Sequence, residues 1–241
     1  MREKLGSERV SLADLFKMAA NVYREGLRLV AAVAVFVYLP LYTIFAVLPE
    51  RFLLDIQMPE GLAPETLLTA LYVNLGIIVI FTPLATATYV TISRLAAEGK
   101  KPDLPAVLEC SLNRWPKLTV TYLLYVSLII LSSFLIVLPV YFAVSFVFAC
   151  QVAAVSGKWA FGAFAESRRL IKGQWWFTAV FLALIIALET MLRIATATVL
   201  FTFGLPAVFM PLFQSAQGFL FAYFQIVIAL YFLNLYYMSE R

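Results

Sequence analysis

Two long stretches without a charged side chain constrain this chain more than any other feature of its sequence. The forty residues between Lys117 and Lys158 contain no Asp, Glu, Lys, Arg or His, and neither do the residues between Arg193 and Glu240. A forty-residue helix would be about 60 Å long at ~1.5 Å per residue, twice the ~30 Å hydrocarbon core of a bilayer. We therefore expect the first stretch to cross a membrane twice, with its turn at Pro139.

The composition supports a chain that is surrounded by lipid. Of its 241 residues, 63% are hydrophobic and only 13% are charged, whereas soluble domains carry roughly 25% charged residues. No polar stretch is long enough to enclose a soluble core, so residues 1–241 are predicted to form a single integral membrane domain. The first 25 residues carry charges throughout and lack an apolar segment with a cleavage site, so we do not expect a signal peptide.

The expected fold class is all-α, a polytopic bundle of transmembrane helices. Six spans are predicted at about 27–48, 66–93, 118–138, 139–156, 175–200 and 212–238. Residues 1–26 should form a cytoplasmic amphipathic helix with Ser11 and Asp14 in a capping box, because apolar residues recur there at helical spacing. Similar segments at 104–115 and 159–172 precede spans 3 and 5. We expect all three segments to lie on the membrane surface.

The distribution of Lys and Arg predicts the orientation. Basic residues concentrate in segments 2–28, 94–117 and 158–172 and at Arg241, whereas the predicted external loop at 49–64 holds only Arg51. Cytoplasmic loops of membrane proteins are enriched in Lys and Arg. Both termini are therefore predicted to lie on the cytoplasmic side of the cytoplasmic (inner) membrane.

Three stretches resemble a known family. They are residues 136–139 (IVLP) at the predicted hairpin, residues 163–176, which contain a Lys-Gly pair and two Trp, and residues 230–238 at the end of span 6. These stretches resemble the membrane domain found beside glycerophosphodiester phosphodiesterases and the related YciC-type bacterial inner-membrane proteins. Val140 follows Pro139 where that family usually has a glycine. The resemblance implies a six-helix inner-membrane protein and brings no catalytic residue with it.

The residues that most enzymes need are missing from the sequence. The chain has no His, which is the usual general base and the commonest metal ligand. It also has no Gly-rich phosphate loop, no Cys-x-x-Cys and no Gly-x-Ser-x-Gly. We therefore expect no catalytic residue, no metal, no cofactor and no enzymatic activity. The net charge of +4 is explained by membrane orientation, so nucleic acid is not an expected partner.

One pair of charges falls inside a predicted span. Glu189 and Arg193 are four residues apart in span 5 and share one helical face, with the acid on the N-terminal side. An unpaired charge there would cost ~3 kcal/mol or more. The pair is either a structural contact that neutralises both charges, which we favour, or an intramembrane site for a substrate or proton.

A basic cluster precedes span 5. Lys158, Arg168, Arg169 and Lys172 could contact lipid headgroups, or they could serve membrane orientation alone. The sequence thus predicts a non-catalytic accessory or interaction protein with membrane lipids as partners, together with a protein partner or a second copy of the chain. One alternative is a small transporter or lipid-handling protein that uses Glu189 and Arg193. A second is the membrane subunit of an enzyme whose catalytic part is another polypeptide.

Overall fold

The computed structural model describes residues 1–7, 9–33, 35, 64–135, 137–203 and 210–240, and these residues are almost entirely helical. No strand occurs within those ranges, which confirms the all-α prediction. The helices are α1 (Arg2–Ser7), α2 (Leu12–Glu25), α3 (Leu27–Val33), α4 (Pro64–Ala97), α5 (Leu104–Ser132), α6 (Val137–Ser145), α7 (Ala149–Ser156), α8 (Phe161–Ile171), α9 (Trp175–Phe203) and α10 (Met210–Ser239).

Within the described ranges, five stretches of helix are long and apolar enough to cross a membrane. They are Val79–Ala97, Leu104–Ser132, Val137–Ser156, Trp175–Thr196 and Ala216–Ser239. Most of the predicted first span, 27–48, lies outside the described residues, and only its beginning is seen as α3. The chain is thus a helical protein with several helices suited to a membrane, while the count of six spans stays a prediction.

The N-terminal segment forms two helices rather than the single helix predicted over 1–26. Ser11 is the N-cap of α2, and its hydroxyl accepts a hydrogen bond from the Asp14 backbone N–H at 3.2 Å. This contact is the Ser half of the predicted capping box. The helix ends at Glu25, and the N–H of the C-cap residue Gly26 donates to the Val22 carbonyl. Because the cap starts α2 at Leu12, residues 2–7 are left as a separate helix.

The predicted turn at Pro139 is wrong. Helix α5 ends at Ser132, and Pro139 is the third residue of α6. A proline fits the first turn of a helix because the N–H that it lacks would have no acceptor within the helix there. The chain reverses earlier, after Ser132, where the Leu135 N–H donates to the Ser132 carbonyl at 2.9 Å. Spans 3 and 4 therefore meet several residues before the predicted boundary.

Two other predicted segments are divided differently in the structure. The amphipathic stretch at 104–115 and the predicted third span are one continuous helix, α5, with Pro116 inside it. The predicted fourth span is instead broken into α6 and α7 by a turn at 146–148. At that turn the Ala149 N–H bonds to the Phe146 carbonyl, three residues back, which interrupts the regular helical pattern.

The even-numbered predicted spans form the centre of the described structure. In the apolar stretches of α4, α6–α7 and α10, 56%, 50% and 67% of the residues are buried, against 17% in the stretches of both α5 and α9. We call α4, α6–α7 and α10 the inner helices. Phe148, between α6 and α7, packs against Tyr231 and Phe232 of α10 with ring centroids 5.8 and 5.6 Å apart. The outer helices α5 and α9 leave most of their apolar surface available to lipid.

The amphipathic helices pack against the inner helices. In α2, the apolar residues Leu15, Ala19 and Val22 are buried. The Tyr23 hydroxyl donates to the Phe219 carbonyl of α10 at 3.0 Å, and the Tyr223 hydroxyl of α10 donates back to the Phe16 carbonyl at 3.0 Å. The apolar face of α2 is thus covered by the protein itself. This face was expected to rest on lipid, and how α2 lies relative to a membrane stays a prediction.

Helix α5 and helix α8 repeat this arrangement on other inner helices. In the first half of α5, the Trp115 ring N–H donates to the Ile80 carbonyl of α4 at 2.8 Å. In α8, the Ser167 hydroxyl donates to the Ser145 carbonyl of α6 at 3.0 Å. Helices α2, α5 and α8 therefore each make a side-chain hydrogen bond to a different inner helix, α10, α4 and α6 respectively.

Candidate functional site

The four basic residues predicted before span 5 fall into two pairs with different surroundings. Lys158 and Arg169 both bind Glu166, a buried carboxylate on α8. The Lys158 Nζ lies 2.9 Å from Glu166 Oε2, and the Arg169 guanidinium contacts Glu166 Oε1. Both cations of this pair therefore have a carboxylate partner within the protein, and they share it.

Glu166 keeps its charge in spite of its burial. Burial alone would raise the pKa of its carboxyl group, but the hydrogen bonds and charges of Lys158 and Arg169 outweigh that effect, and the pKa lies below its ordinary value. The sequence contains a signal for this contact, because Glu166 and Arg169 stand three residues apart on a helix. Glu166 itself is not among the predicted site residues.

Arg168 and Lys172 form the second pair. Both side chains are exposed, and neither makes an ion pair with any carboxylate in the described part of the chain. Both line an open pocket of ≈ 510 Å³. The remaining lining residues come from α6, α8 and the start of α9, and they are Tyr141, Ser145, Ala165, Arg169, Ile171 and Trp175. The pocket thus presents two cations without a carboxylate partner among the described residues.

The local backbone explains how α6, α8 and α9 meet at this pocket. Helix α8 ends at Ile171, and Gly173 adopts φ +81°, a left-handed conformation that most side chains avoid. The Gln174 N–H then donates to the Ile171 carbonyl at 2.8 Å, and α9 begins at Trp175. The resulting bend brings the Trp175 ring N–H to the Ser145 hydroxyl of α6 at 3.2 Å.

Ser145 holds the two sides of the pocket together. Its carbonyl accepts from Ser167 of α8, and its hydroxyl accepts from Trp175 of α9. Ser145 is buried at the edge of the pocket, with 2% of its surface exposed, and its hydroxyl proton donates to no acceptor among the described residues. Tyr141 and Ser145 were not among the predicted site residues, because both stand in an apolar span without any charged neighbour in sequence.

Glu189 and Arg193 lie elsewhere, on α9, and each has its own partner on α10. The Gln225 amide Nε2 donates to Glu189 Oε1 at 3.5 Å. The Arg193 guanidinium carbon lies 4.4 Å from the centroid of the Phe221 ring, which is a cation–π contact. Glu189 is half-buried and Arg193 is exposed. The ion pairs of the described residues include none between these two side chains, although their spacing allows one.

Two further observations bear on chemistry at these sites. Within the described ranges, no group of three or more His, Cys, Asp or Glu side chains could hold a metal ion. Comparison of the chain with family models, curated proteins and solved structures finds no match. Any functional assignment therefore starts from the geometry of the basic pocket and of the α9–α10 contact.

Proposed function

We propose that this chain is a non-catalytic, multi-pass protein of the cytoplasmic (inner) membrane that serves an accessory role and associates with membrane lipids. In this proposal it has six spans and both termini in the cytoplasm, as its Lys and Arg distribution indicates. The five long apolar helices support the membrane assignment. We also propose that the chain is related to the membrane domains that accompany glycerophosphodiester phosphodiesterases, which its sequence resembles.

The observation that carries the lipid association is the difference between the two basic pairs. Lys158 and Arg169 are occupied by Glu166, whereas Arg168 and Lys172 stand exposed beside an open pocket. Membrane orientation needs positive charge on the cytoplasmic side, but it does not need that charge to line a pocket. Each basic residue near an anionic leaflet contributes ~1 kcal/mol to membrane attraction. Arg168 and Lys172 are therefore the residues expected to contact anionic lipid headgroups.

The lipid composition of nanodiscs that contain the protein tests this proposal. Wild-type protein is extracted in polymer nanodiscs from vesicles of mixed phosphatidylcholine and phosphatidylglycerol, and the lipids in the discs are measured by mass spectrometry. We expect enrichment of phosphatidylglycerol over the starting mixture. Arg168→Glu with Lys172→Glu should remove most of that enrichment, while a matched double reversal at the exposed Lys17 and Lys101 should keep it. Equal phosphatidylglycerol content in wild-type discs and in the starting vesicles would contradict the proposal.

A second function is favoured by one specific contact. Glu189 is half-buried and faces the Gln225 amide of the neighbouring helix, and intramembrane carboxylates often mark transport pathways. A small transporter or lipid-handling protein would need this carboxylate in its ionisable form. If Glu189→Gln is folded in the membrane but fails to rescue a deletion phenotype that Arg168→Gln does rescue, the second function replaces the first.

A further inference from the structure

A second, apolar pocket adjoins the basic one. It has a volume of ≈ 560 Å³ and is lined by Val137, Val140, Tyr141, Trp175 and Trp176. The exposed fractions of Val137 and Trp176 are 76% and 77%, so this pocket opens to the surroundings of the protein. None of its lining residues is charged. It is therefore a surface that suits a hydrocarbon chain.

The two pockets form one groove. Tyr141 and Trp175 line both of them. The rings of these two residues stack with their centroids 6.2 Å apart and an angle of 22° between their planes. Their ring faces and polar atoms thus mark the boundary between the basic pocket and the apolar one, which is the position that Tyr and Trp prefer between headgroups and hydrocarbon. We call the whole the α6–α9 groove.

The chemistry of the groove changes along its length. At one end are the cations Arg168 and Lys172 and the Ser145 hydroxyl, whose proton has no acceptor among the described residues. At the other end are Val137, Val140 and Trp176. A ligand that satisfies both ends carries an anionic group with several oxygen acceptors and, joined to it, a long apolar chain.

We propose that the α6–α9 groove binds one anionic glycerophospholipid, with its phosphate between Arg168 and Lys172 and one acyl chain along Val137, Val140 and Trp176. This inference rests on the proposed lipid association and deepens it, because it replaces a general attraction to anionic lipid with a single site. Charge complementarity selects the phosphate, and the uncharged pocket beside it selects the chain. Free phosphate would leave the apolar pocket unused, and a neutral detergent would leave both cations unpaired.

The headgroup end is tested by native mass spectrometry of the full-length protein in detergent, titrated with palmitoyl-oleoyl phosphatidylglycerol. We expect saturation at one bound lipid per chain. Arg168→Gln with Lys172→Gln should weaken binding about thirtyfold, the effect of removing two contacts of the strength that a basic residue has beside an anionic leaflet. The matched control removes two exposed cations elsewhere, Lys17→Gln with Lys101→Gln, and should bind as the wild type does.

The apolar end needs a variant that blocks the groove without disturbing the fold. Val140 is 54% exposed, so Val140→Trp can fill the apolar pocket from outside without overpacking the core. It should weaken binding at least about tenfold, a typical cost for losing a few buried methylene groups. Val180→Trp, at an exposed position on α9 outside the groove, is the control. Thermal unfolding shows whether each variant is folded. If Val140→Trp does not fold, Trp176→Ala is used in its place.

The outcomes distinguish three possibilities: one lipid site in the α6–α9 groove, a general association with anionic lipids, and binding of a free anion. Weaker binding in the Arg168/Lys172 and Val140 variants alone supports the groove. Full displacement of the lipid by inorganic phosphate would show that the basic pocket binds a free anion, and the acyl-chain site would be refuted. Unchanged binding in all variants, with phosphatidylglycerol still enriched in nanodiscs, would overturn the groove and leave the proposed function standing. No enrichment and no saturation would overturn both.

Discussion

Asn234 offers the sharpest test of how the N-terminal helices are held. Its side chain is buried in α10. The amide Nδ2 donates to the Leu5 carbonyl at 2.7 Å, and Oδ1 accepts from the Val10 N–H at 3.4 Å. Leu5 and Val10 are buried as well, so water cannot replace the amide if it is removed. One side chain of α10 therefore satisfies one backbone group of α1 and one of the link between α1 and α2.

Asn234→Leu keeps the shape of this side chain and removes both contacts. Losing a good hydrogen bond costs ~1 kcal/mol, and leaving a buried carbonyl and N–H without partners costs a further ~1–3 kcal/mol, so the change should total about 2–4 kcal/mol. The penalty falls on the docking of α1 and α2 rather than on the inner helices. The equilibrium constant for local opening of the N-terminal segment should thus rise about thirty- to a thousandfold.

The assay is hydrogen exchange of residues 2–25 in detergent, followed by mass spectrometry. In the variant, amides of α1 and α2 should exchange faster by that factor, while those of α4 and α7 stay protected. Asn113→Leu, at an exposed position of α5, is the matched control and should exchange as the wild type does. If α1 and α2 are unaffected by Asn234→Leu, these helices are held by lipid rather than by α10, and the packing argument is refuted.

Three further predictions concern local contacts. Glu166→Gln should lower the free energy of unfolding by about 0.5–2 kcal/mol, because it removes two bridges to partly exposed cations. Since the folded-state pKa of Glu166 is lowered, this stabilisation is present above the unfolded pKa of ~4.3 and is lost as the pH falls through the folded value. Melting curves of the wild type and the variant should therefore converge in acid and stay apart at neutral pH. Ser11→Ala should cost about 1 kcal/mol by removing the N-cap of α2, measured by thermal unfolding against Ser7→Ala. Glu189→Gln and Arg193→Met should each destabilise the protein, because each residue contacts α10, with some coupling from the charge attraction between them. A double variant more stable than either single one would show that the charges neutralise each other directly.

The helical class and the apolar stretches could be predicted because lipid imposes a simple rule on sequence. A chain that buries its helices in hydrocarbon cannot carry charges there, so the charge-free run after Lys117 leaves few alternatives. The exact turn was predicted wrongly, because proline ends one helix as readily as it starts the next. Pro139 lies in the first turn of α6, and nothing in the neighbouring apolar residues distinguishes the two roles.

The basic pocket could be predicted only in part. The cluster of Arg168, Arg169 and Lys172 is visible in the sequence. Which of these cations pairs with a carboxylate depends on the position of the buried Glu166 side chain in the fold. Ser145 reaches the same pocket from a helix more than twenty residues earlier, through the bend that Gly173 permits. Residues from different helices meet in this pocket through tertiary packing, which the periodicity of a single helix does not predict.

The central claim is a multi-pass protein whose basic pocket faces the cytoplasmic leaflet, and cysteine accessibility tests it most directly. Single cysteines are placed at Glu60, in the predicted external loop, and at Lys101 and Lys172, in a chain whose native Cys110 and Cys150 are replaced by Ala. A membrane-impermeant maleimide is then applied to right-side-out and to inverted vesicles. The account predicts that position 60 is labelled only in right-side-out vesicles, and that positions 101 and 172 are labelled only in inverted ones. Labelling of positions 60 and 172 from the same side would contradict it.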